Sequence, residues 1–398
     1  MRIAHVITRM ILGGAQENTL FNCEDLIRLH GDEVLLVTGP SIGPEGSLLD
    51  RARAGGVPLE IIDPLRRSIH PWRDWTSYRR LLQVLRDFRP DVVHTHSAKG
   101  GILGRAAATK LRVPAIVHTV HGAPFHPYQN PLTAAAYRAC ERWAAPRCDA
   151  FICVADAMTD LMVSAGVAPR EKFTTIYSGM EVEPFLQSHQ HRQRIRHELG
   201  YADEHVVIGK IARLFHLKGH EYVIQAATAV IRQNPRVRFL FIGDGILADT
   251  LKRQIAAEGL EPYFQFTGLV PPERIPPLIA AMDVLVHTSL REGLARTLPQ
   301  ALISGKPAIS YDVDGAREVV LPGVTGYLLP PKEVAGLEQA ILELAGDANL
   351  RSRLGAEGQR RFADIFRHEH MTREIRRVYE RVLARKRGRT NHEGHEGH

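Results

Sequence analysis

The sequence contains few cysteines and no long apolar run. Its 398 residues include four cysteines, Cys23, Cys140, Cys148 and Cys153. Their spacing forms neither a CxxC pair nor a zinc pattern, so we expect reduced and mostly buried thiols. No segment approaches the roughly 18–20 apolar residues of a membrane span, and the N-terminal segment lacks the apolar stretch and cleavage site of a signal peptide. These absences predict a protein that stays in the cytosol.

Signatures of several common functional classes are also absent. The sequence has neither a G-x-G-x-x-G motif nor a Walker A loop, which removes the main support for hydride transfer or a kinase. It has no zinc-finger, RRM or KH signature, so we expect no nucleic-acid partner. The net charge of +7 is mild for this length and suits an anionic ligand or an anionic membrane surface without requiring either.

Short β-rich apolar runs alternate with longer helical patterns along the chain. Most runs are apolar on successive residues, which is typical of strands buried on both faces of a parallel sheet. The predicted strands of the first half are Ile3–Ile7, Val34–Val37, Leu59–Ile62, Val92–His94, Ala115–His118, Phe151–Val154 and Phe173–Ile176. Those of the second half are Val206–Ile211, Phe239–Ile242, Phe264–Phe266, Val284–His287, Ala308–Tyr311 and Tyr327–Leu329.

Two such series predict two α/β domains, each a doubly wound Rossmann-like sheet, that face each other across a cleft. We place the first domain at 1–183 and the second at 184–368, with the polar segment 187–198 as their connection. An amphipathic helix follows at 369–386. The tail 387–398 has no apolar content, so we predict that it is disordered.

Paired glycines follow the first predicted strand. Gly13 and Gly14 stand where that strand turns into a helix, so a phosphate could approach backbone N–H groups at the positive end of the helix. Many such turns contain glycine for geometry alone. Both interpretations stay open.

The second domain repeats this turn with charge added. Arg213 and Lys218 follow the strand at Val206–Ile211. Arginine binds phosphate through two parallel donors and lysine acts as a point charge, so the pair suits a diphosphate. Two solvated surface cations are the alternative.

A third turn, at residues 289–300, contains a carboxylate. Glu292 would hydrogen-bond hydroxyl groups, which a sugar supplies, and backbone N–H groups near Arg296 and Thr297 could cap a phosphate. The other interpretation makes Glu292 a helix-start charge, which stabilises by about 0.3–1 kcal/mol.

Histidines stand at the ends of two strands. His121 lies just past a strand end, where it could contact a substrate hydroxyl. His94 and His96 are of a residue type that binds metals, but we expect their side chains to point to opposite faces of the strand. The sequence therefore predicts no metal site.

Taken together, these segments resemble the retaining glycosyltransferases of the GT-B fold, specifically family 4 (glycosyl transferases group 1), over nearly the whole chain. Each motif is short, and their order and spacing are specific in combination. The motifs are Gly13-Gly14-Ala15-Gln16, His94-Thr95-His96, His121-Gly122, Ser178-Gly179-Met180, Arg213 with Lys218-Gly219, Gly243-Asp244-Gly245, Phe266-Thr267-Gly268, Glu292-Gly293, Gly315-Ala316-Arg317-Glu318 and Gly323-Val324-Thr325-Gly326.

The resemblance implies an acceptor domain at 1–183, a nucleotide-sugar domain at 184–368 and a C-terminal helix that returns to the first domain. It also implies that Arg213 and Lys218 hold the donor diphosphate. Backbone N–H groups at Gly13–Gly14 and near Arg296–Thr297 would assist them.

For the rest of the donor, the resemblance implies that Glu292 contacts the hydroxyls of the transferred sugar. His121 would lie near the sugar and the reacting bond, and Leu269, within 268–270, would lie by the base. Gln300 stands where the family usually has a second glutamate, which binds the ribose hydroxyls. An amide brings no charge, and charge-assisted bonds are roughly twice as strong as neutral ones, so donor binding could be weaker or differently selective. A second departure is Asp314-Gly315-Ala316, where paired glycines are common.

The predicted reaction is transfer of a hexosyl group from a UDP- or GDP-sugar to a hydroxyl acceptor, with retention and without a metal or other cofactor. The expected pathways are polysaccharide, lipopolysaccharide or glycolipid synthesis, with a glycan or glycolipid as acceptor. Two alternatives stay open, a nucleotide-sugar epimerase of the same fold and a non-catalytic nucleotide-sugar binder. The segment His70–Arg80 interleaves aromatic and basic residues, which suits a cytoplasmic membrane face as well as an ordinary helix start.

Overall fold

The structure, a computed structural model, describes residues 1–43 and 46–393. It divides into two compact units, one made of Met1–Met180 with the segment from Arg367 onward, and the other of Glu181–Phe366. These divisions lie two or three residues before the predicted 183/184 and 368/369 boundaries.

The first unit contains a parallel sheet of seven strands. Its strands are β1 (Arg2–Ile7), β2 (Glu33–Thr38), β3 (Leu59–Ile61), β4 (Val92–His96), β5 (Ala115–Val120), β6 (Ala150–Cys153) and β7 (Phe173–Thr175). Its helices up to Met180 are α1 (Gly14–His30), α2 (Leu49–Ala54), α3 (Pro71–Phe88), α4 (Ala98–Lys110), α5 (Pro131–Ala144) and α6 (Asp156–Ser164). The strand order is β3-β2-β1-β4-β5-β6-β7, so the order reverses between β1 and β4.

The second unit contains a parallel sheet of six strands. Its strands are β8 (Val206–Ile211), β9 (Val237–Ile242), β10 (Phe264–Phe266), β11 (Val284–His287), β12 (Ala308–Tyr311) and β13 (Gly326–Leu329). Its helices are α7 (Glu183–Leu186), α8 (Arg192–Glu198), α9 (His220–Gln233), α10 (Ala248–Ala257), α11 (Ile275–Ala281), α12 (Thr297–Ile303), α13 (Val334–Gly346) and α14 (Ala348–Phe362). The order β10-β9-β8-β11-β12-β13 reverses between β8 and β11.

Every predicted strand is present, because the apolar runs are buried between helices on both faces of each sheet. In β1, for example, five successive residues from Ile3 to Ile7 are buried. The helices instead bury residues three or four positions apart, which lie on one helix face. In α9, for example, Val223, Ala227 and Val230 are fully buried. Two doubly wound α/β sheets are confirmed as the architecture.

A long C-terminal helix, α15 (His368–Glu393), packs on the first unit. Met371 and Ile375 are buried in the core beside β1 and α1. Its polar contacts are equally specific, since Arg376 Nε donates to Asp32 Oδ2 at 2.8 Å. The helix extends to Glu393 and so enters the tail predicted as disordered from 387, whereas residues 394–398 lie outside the described residues.

The polar segment 187–198 is not a connection between units, which corrects the sequence interpretation. It forms a short 3₁₀ turn and α8 inside the second unit. Arg192 Nη2 lies 2.6 Å from Asp283 Oδ1, and Arg196 Nη1 lies 3.3 Å from Asp283 Oδ2. The charges that suggested a solvated linker instead form ion pairs that hold α8 against Asp283, the residue before β11.

Three of the four cysteines are buried, and Cys140 is exposed. Burial raises the pKa of the Cys148 thiol to about 12, so this thiol stays protonated and packs as an apolar group. Among the helices of the described residues, none is both long and apolar enough to cross a membrane.

Candidate active site

A cation and a carboxylate meet at the carboxyl edge of the second sheet. Lys218 follows β8 and Glu292 follows β11, and these two strands are neighbours at the point where the strand order reverses. Lys218 Nζ donates to Glu292 Oε1 at 2.5 Å, and about a fifth of each side chain is exposed, 22% and 21%. The structure therefore brings together two predicted site residues that are 74 positions apart in sequence, at the edge where doubly wound sheets bind ligands.

The charge state of Glu292 follows from its neighbours. Burial raises the pKa of this carboxyl and is the largest single effect, but the neighbouring groups, Lys218 foremost, together outweigh burial, and the pKa lies below its ordinary value. His287 Nε2 lies 3.7 Å from Glu292 Oε1, and burial lowers the pKa of His287 to about 3. At neutral pH the site therefore presents a carboxylate beside an ammonium and a neutral imidazole.

The backbone at Glu292 is held by a residue that the sequence showed only as a departure from the family pattern. Asp314 Oδ2 accepts the backbone N–H of Glu292 at 2.7 Å, and Gly315 N donates to Gly293 O at 2.9 Å. Asp314 has a positive φ of 50°, which aspartate tolerates better than most residues. Asp314 thus orients the turn that presents the carboxylate.

The Lys218 turn lies directly against the end of β11. Gly219 has φ +69°, and a Cβ there would lie 1.9 Å from Thr288 O, so no side chain fits. Leu290 N donates to Leu217 O at 2.8 Å. Glycine is therefore required for the close approach of the two turns.

A buried lysine supports this contact, and sequence reasoning missed it. Lys210, within β8, is 1% exposed, and its Nζ donates to Thr288 Oγ1 at 2.9 Å. Thr288 Oγ1 in turn donates to Gly219 O at 2.6 Å. Burial, with a smaller contribution from Lys218, lowers the pKa of Lys210 to about 7. Because Lys210 lies within an apolar strand pattern, the sequence did not indicate that it is hydrogen-bonded through Thr288 to the turn at Gly219.

The remaining predicted residues of the second unit lie on neighbouring turns at the carboxyl edge of the same sheet. Arg213 is exposed, and its guanidinium lies 5.0 Å from the centre of the Phe215 ring. Leu269 is 69% exposed and follows Gly268, whose carbonyl accepts Gly243 N–H at 3.1 Å.

Arg296, Thr297 and Gln300 stand at the start of α12, and Gln300 N donates to Arg296 O at 3.1 Å. Thr297 Oγ1 is buried and has no partner among the described residues. In the first unit, Gly13 directly precedes α1 and Gly14 is its first residue. The φ of Gly13 is 174°, an extended backbone that any residue adopts, so the conformation gives no separate reason for glycine here. The contact of Gly13 with phosphate stays a prediction.

Four histidines of the first unit form a cluster, in which three rings are buried and His121 is partly exposed. His5 Nδ1 lies 3.0 Å from His96 Nε2, and His96 Nδ1 lies 3.1 Å from His121 Nε2. The rings of His94 and His96 are 4.2 Å apart. The expectation that these two side chains point to opposite faces was wrong, because side chains alternate with a period of two and residues i and i+2 share a face.

The cluster meets the distance condition for a metal site without having a free set of ligands. Ligand atoms of His5, His94 and His96 lie within 4.8 Å of one another. Both nitrogens of His94 are engaged, however, with Tyr379 Oη at 2.5 Å and Thr119 Oγ1 at 2.7 Å. Burial lowers the pKa of His5 to about 3 and that of His121 to about 4. At neutral pH the cluster is a set of neutral, hydrogen-bonded imidazoles.

Comparison with known proteins agrees with the motifs. The family model described as "Glycosyl transferase 4-like domain" matches residues 13–179, and "Glycosyl transferases group 1" matches residues 191–361. The UDP-Gal:alpha-D-GlcNAc-diphosphoundecaprenol alpha-1,3-galactosyltransferase of Escherichia coli is 29% identical over 351 residues, 87% of this chain and 88% of that enzyme. The GDP-mannose-dependent alpha-mannosyltransferase of Mycobacterium tuberculosis is 30% identical over 257 residues, 64% of each.

Among solved structures, HepE from Anabaena in complex with UDP-glucose superposes with a TM-score of 0.80 at 22% identity, over 96% of this chain and 99% of HepE. At that identity the likeness establishes the fold. The matching family models and the agreement among the relatives show that the chain belongs to the group 1 glycosyltransferases of the GT-B fold, enzymes that transfer a sugar from a nucleotide sugar.

Proposed function

We propose that the enzyme transfers a hexosyl group from a UDP- or GDP-linked sugar to an acceptor hydroxyl, with retention at the anomeric carbon and without a metal ion or other cofactor. The Lys218–Glu292 pair carries this proposal. A lysine ammonium has three N–H donors, and one of them binds Glu292. Two donors therefore remain for phosphate oxygens, beside a carboxylate suited to sugar hydroxyls.

Negative charge builds on the diphosphate as the glycosidic bond breaks. Lys218 and the exposed guanidinium of Arg213 supply two positive charges on the turn between β8 and α9, and the N-terminus of α9 adds partial positive charge. Preorganised charges of this kind stabilise a leaving group as a divalent ion would. We also assign phosphate contacts to the backbone at Gly13–Gly14 and at Arg296–Thr297.

The other donor groups fit neighbouring side chains. Leu269 offers an exposed apolar surface for the face of the base, and the Gln300 amide can accept a ribose hydroxyl. Glu292, held as a carboxylate by Lys218, accepts hydroxyls of the transferred sugar.

Retention fits a direct displacement on one face of the sugar. In this step the acceptor oxygen bonds to the anomeric carbon, the bond to the phosphate oxygen breaks, and a phosphate oxygen takes the proton of the acceptor. Glu292 is bound to Lys218 instead of standing as an unpaired nucleophile. His121, a neutral imidazole, contacts the substrate near the reacting bond.

The donor and acceptor classes come from the relatives. The name of the Escherichia coli relative specifies UDP-galactose and a diphosphoundecaprenol-linked acceptor, and that of the mycobacterial relative specifies GDP-mannose. We therefore propose a glycan or glycolipid acceptor in polysaccharide, lipopolysaccharide or glycolipid synthesis.

A lipid-linked acceptor would place the enzyme at the cytoplasmic face of a membrane. Trp72 and Trp75 are 69% and 48% exposed at the start of α3, and the guanidinium of Arg79 lies 4.9 Å from the centre of the Trp75 ring. Exposed aromatic and basic side chains together suit an anionic interface. In flotation with vesicles containing anionic lipid, the wild type should float and the W72S/W75S variant should not. W143S, at an exposed tryptophan on α5, is the control, and a wild type that stays at the bottom contradicts this part.

Transfer itself is tested by nucleotide release from a panel of UDP- and GDP-hexoses, with and without lipid-linked glycan acceptors, in the presence of EDTA. We expect acceptor-dependent release and a product with the anomeric configuration of the donor. R213A and K218A should lower turnover, whereas R253A, an exposed arginine on α10, should not. An isomerised sugar without acceptor would indicate an epimerase, and loss of transfer in EDTA would contradict metal independence.

A further inference from the structure

Three imidazoles form a continuous hydrogen-bonded chain that ends at His121. It begins at His5 in β1, passes through His96 at the end of β4 and reaches His121 just after β5, with N···N distances of 3.0 and 3.1 Å. His5 and His96 are completely buried, and His121 is partly exposed. The chain therefore connects the core of the first unit to the residue proposed to touch substrate.

Neutral imidazoles couple their tautomers along such a chain. Each ring has one N–H donor and one acceptor nitrogen, so donation must run in a single direction. If His5 Nδ1–H donates to His96, then His96 Nδ1–H donates to His121 Nε2, and the proton of His121 stands on Nδ1. In the reverse direction His121 carries its proton on Nε2, and the last proton stands on His5 Nε2.

The environment of His5 Nε2 distinguishes the two directions. This nitrogen is buried and has no hydrogen-bond partner among the described residues. A buried N–H without an acceptor is among the rarest defects of folded proteins, whereas an unfilled acceptor is less rare. The proton of His5 therefore belongs on Nδ1, and donation runs from His5 toward His121.

Neighbouring contacts keep the chain in place. The rings of His5 and His96 are nearly coplanar, with an interplanar angle of 14° and the centroids 5.3 Å apart, as an in-plane hydrogen bond requires. The His96 ring also contacts His94, whose two nitrogens are bound to Tyr379 and Thr119. These contacts restrict rotation of His96, so its two nitrogens stay aligned with His5 and His121.

We propose that His5 and His96 are positioning residues that set His121 in the Nδ1–H tautomer, so that Nδ1 donates a hydrogen bond to a substrate oxygen. The substrate contact rests on the proposed function, whereas the tautomer follows from the protein alone. Nδ1 of His121 has no hydrogen bond within the described part of the chain, so this donor is available to an oxygen of the sugar or the acceptor.

The direct test is ¹⁵N NMR of the full chain labelled in histidine, with the His121 signals assigned by their loss in H121Q. We expect His121 Nδ1 to be protonated and Nε2 to be unprotonated at pH 7. The opposite pattern in the wild type overturns the proposal, whatever the activity of the enzyme.

Variants then separate positioning from structural support. H5L removes the first donor, whereas H5N retains an N–H close to the position of Nδ1. We expect H5L to mix the tautomers of His121 and to lower kcat about tenfold, the effect of losing one substrate hydrogen bond, and H5N to retain both. A folded H5L with an unchanged His121 tautomer contradicts the proposal, and if H5L does not fold, the wild-type spectrum still decides. Absence of transfer with every donor would refute the proposed function and leave the tautomer result unaffected.

Discussion

Replacing Lys218 with methionine removes the ammonium while keeping an unbranched side chain of similar length. In the structure this change breaks the 2.5 Å contact with Glu292. Because about four-fifths of each side chain is buried and the change leaves the Glu292 carboxylate without its ammonium partner, the free energy of unfolding should fall by about 1–3 kcal/mol. The melting temperature should then fall by about 2–12 °C.

The expected effect on catalysis is larger. Loss of one preorganised donor to developing charge typically lowers kcat by about 10²–10³-fold, or roughly 2.7–4 kcal/mol. We expect K218M to show such a loss at saturating donor, with K218R within about tenfold of the wild type because it keeps the charge. E292Q keeps the cation and should mainly weaken recognition of the sugar.

The assay is steady-state release of nucleotide with an acceptor, together with thermal unfolding of each variant. A double-mutant cycle with K218M and E292Q measures how far the two side chains act as one unit. If K218M remains folded and its kcat lies within about threefold of the wild type, the ammonium does not stabilise the leaving group, and the site assignment is refuted.

Three further predictions concern residues around this pair. D314N should keep the bond to Glu292 N–H and near-normal kcat, whereas D314G should relieve the positive φ but lower kcat about tenfold by loosening the turn, as measured by the same assay. Burial lowers the pKa of Lys210 to about 7, below its ordinary 10.5, so the folded state binds fewer protons than the unfolded state between those values. The unfolding free energy of the wild type should therefore rise by about 1–3 kcal/mol relative to K210M between pH 7 and 9 in urea titrations, and a parallel pH dependence would contradict this. Q300E should tighten donor binding by calorimetry about fivefold to tenfold, because a charged acceptor makes a stronger hydrogen bond, and unchanged affinity would remove Gln300 from the ribose site.

The strands were predictable because their signal is local. A strand buried on both faces must be apolar at successive residues, and β8, β10, β11 and β12 begin and end where the apolar runs do. The segment 187–198 shows the limit of this reasoning. The charge of the segment is evident from the sequence. Its partner Asp283 lies far along the chain, however, and no local pattern predicts that Arg192 and Arg196 bind Asp283.

The candidate site also contains residues that the sequence predicts and residues that it does not. Lys218 and Glu292 follow strand ends, and neighbouring parallel strands bring their carboxyl ends to one edge, so their proximity follows from topology. That His94 and His96 share a face also follows from a local rule, because residues i and i+2 of a strand point to the same side. His5 could not be added from the sequence, because its place beside His94 depends on the register between β1 and β4.

Register also explains why the protonation states lie beyond sequence reasoning. Lys210 and His5 are single polar residues within apolar strands, a pattern that indicates only burial. Their roles depend on the hydrogen-bond partner that the adjacent strand places beside them. Lys210 binds Thr288, just after β11, and His5 binds His96 on β4. In both units, therefore, a polar group inside the sheet links a strand interior to the turn beyond it. A substitution at His5 should therefore alter the chemistry of the turn before it alters the fold, which the H5L and H5N variants test.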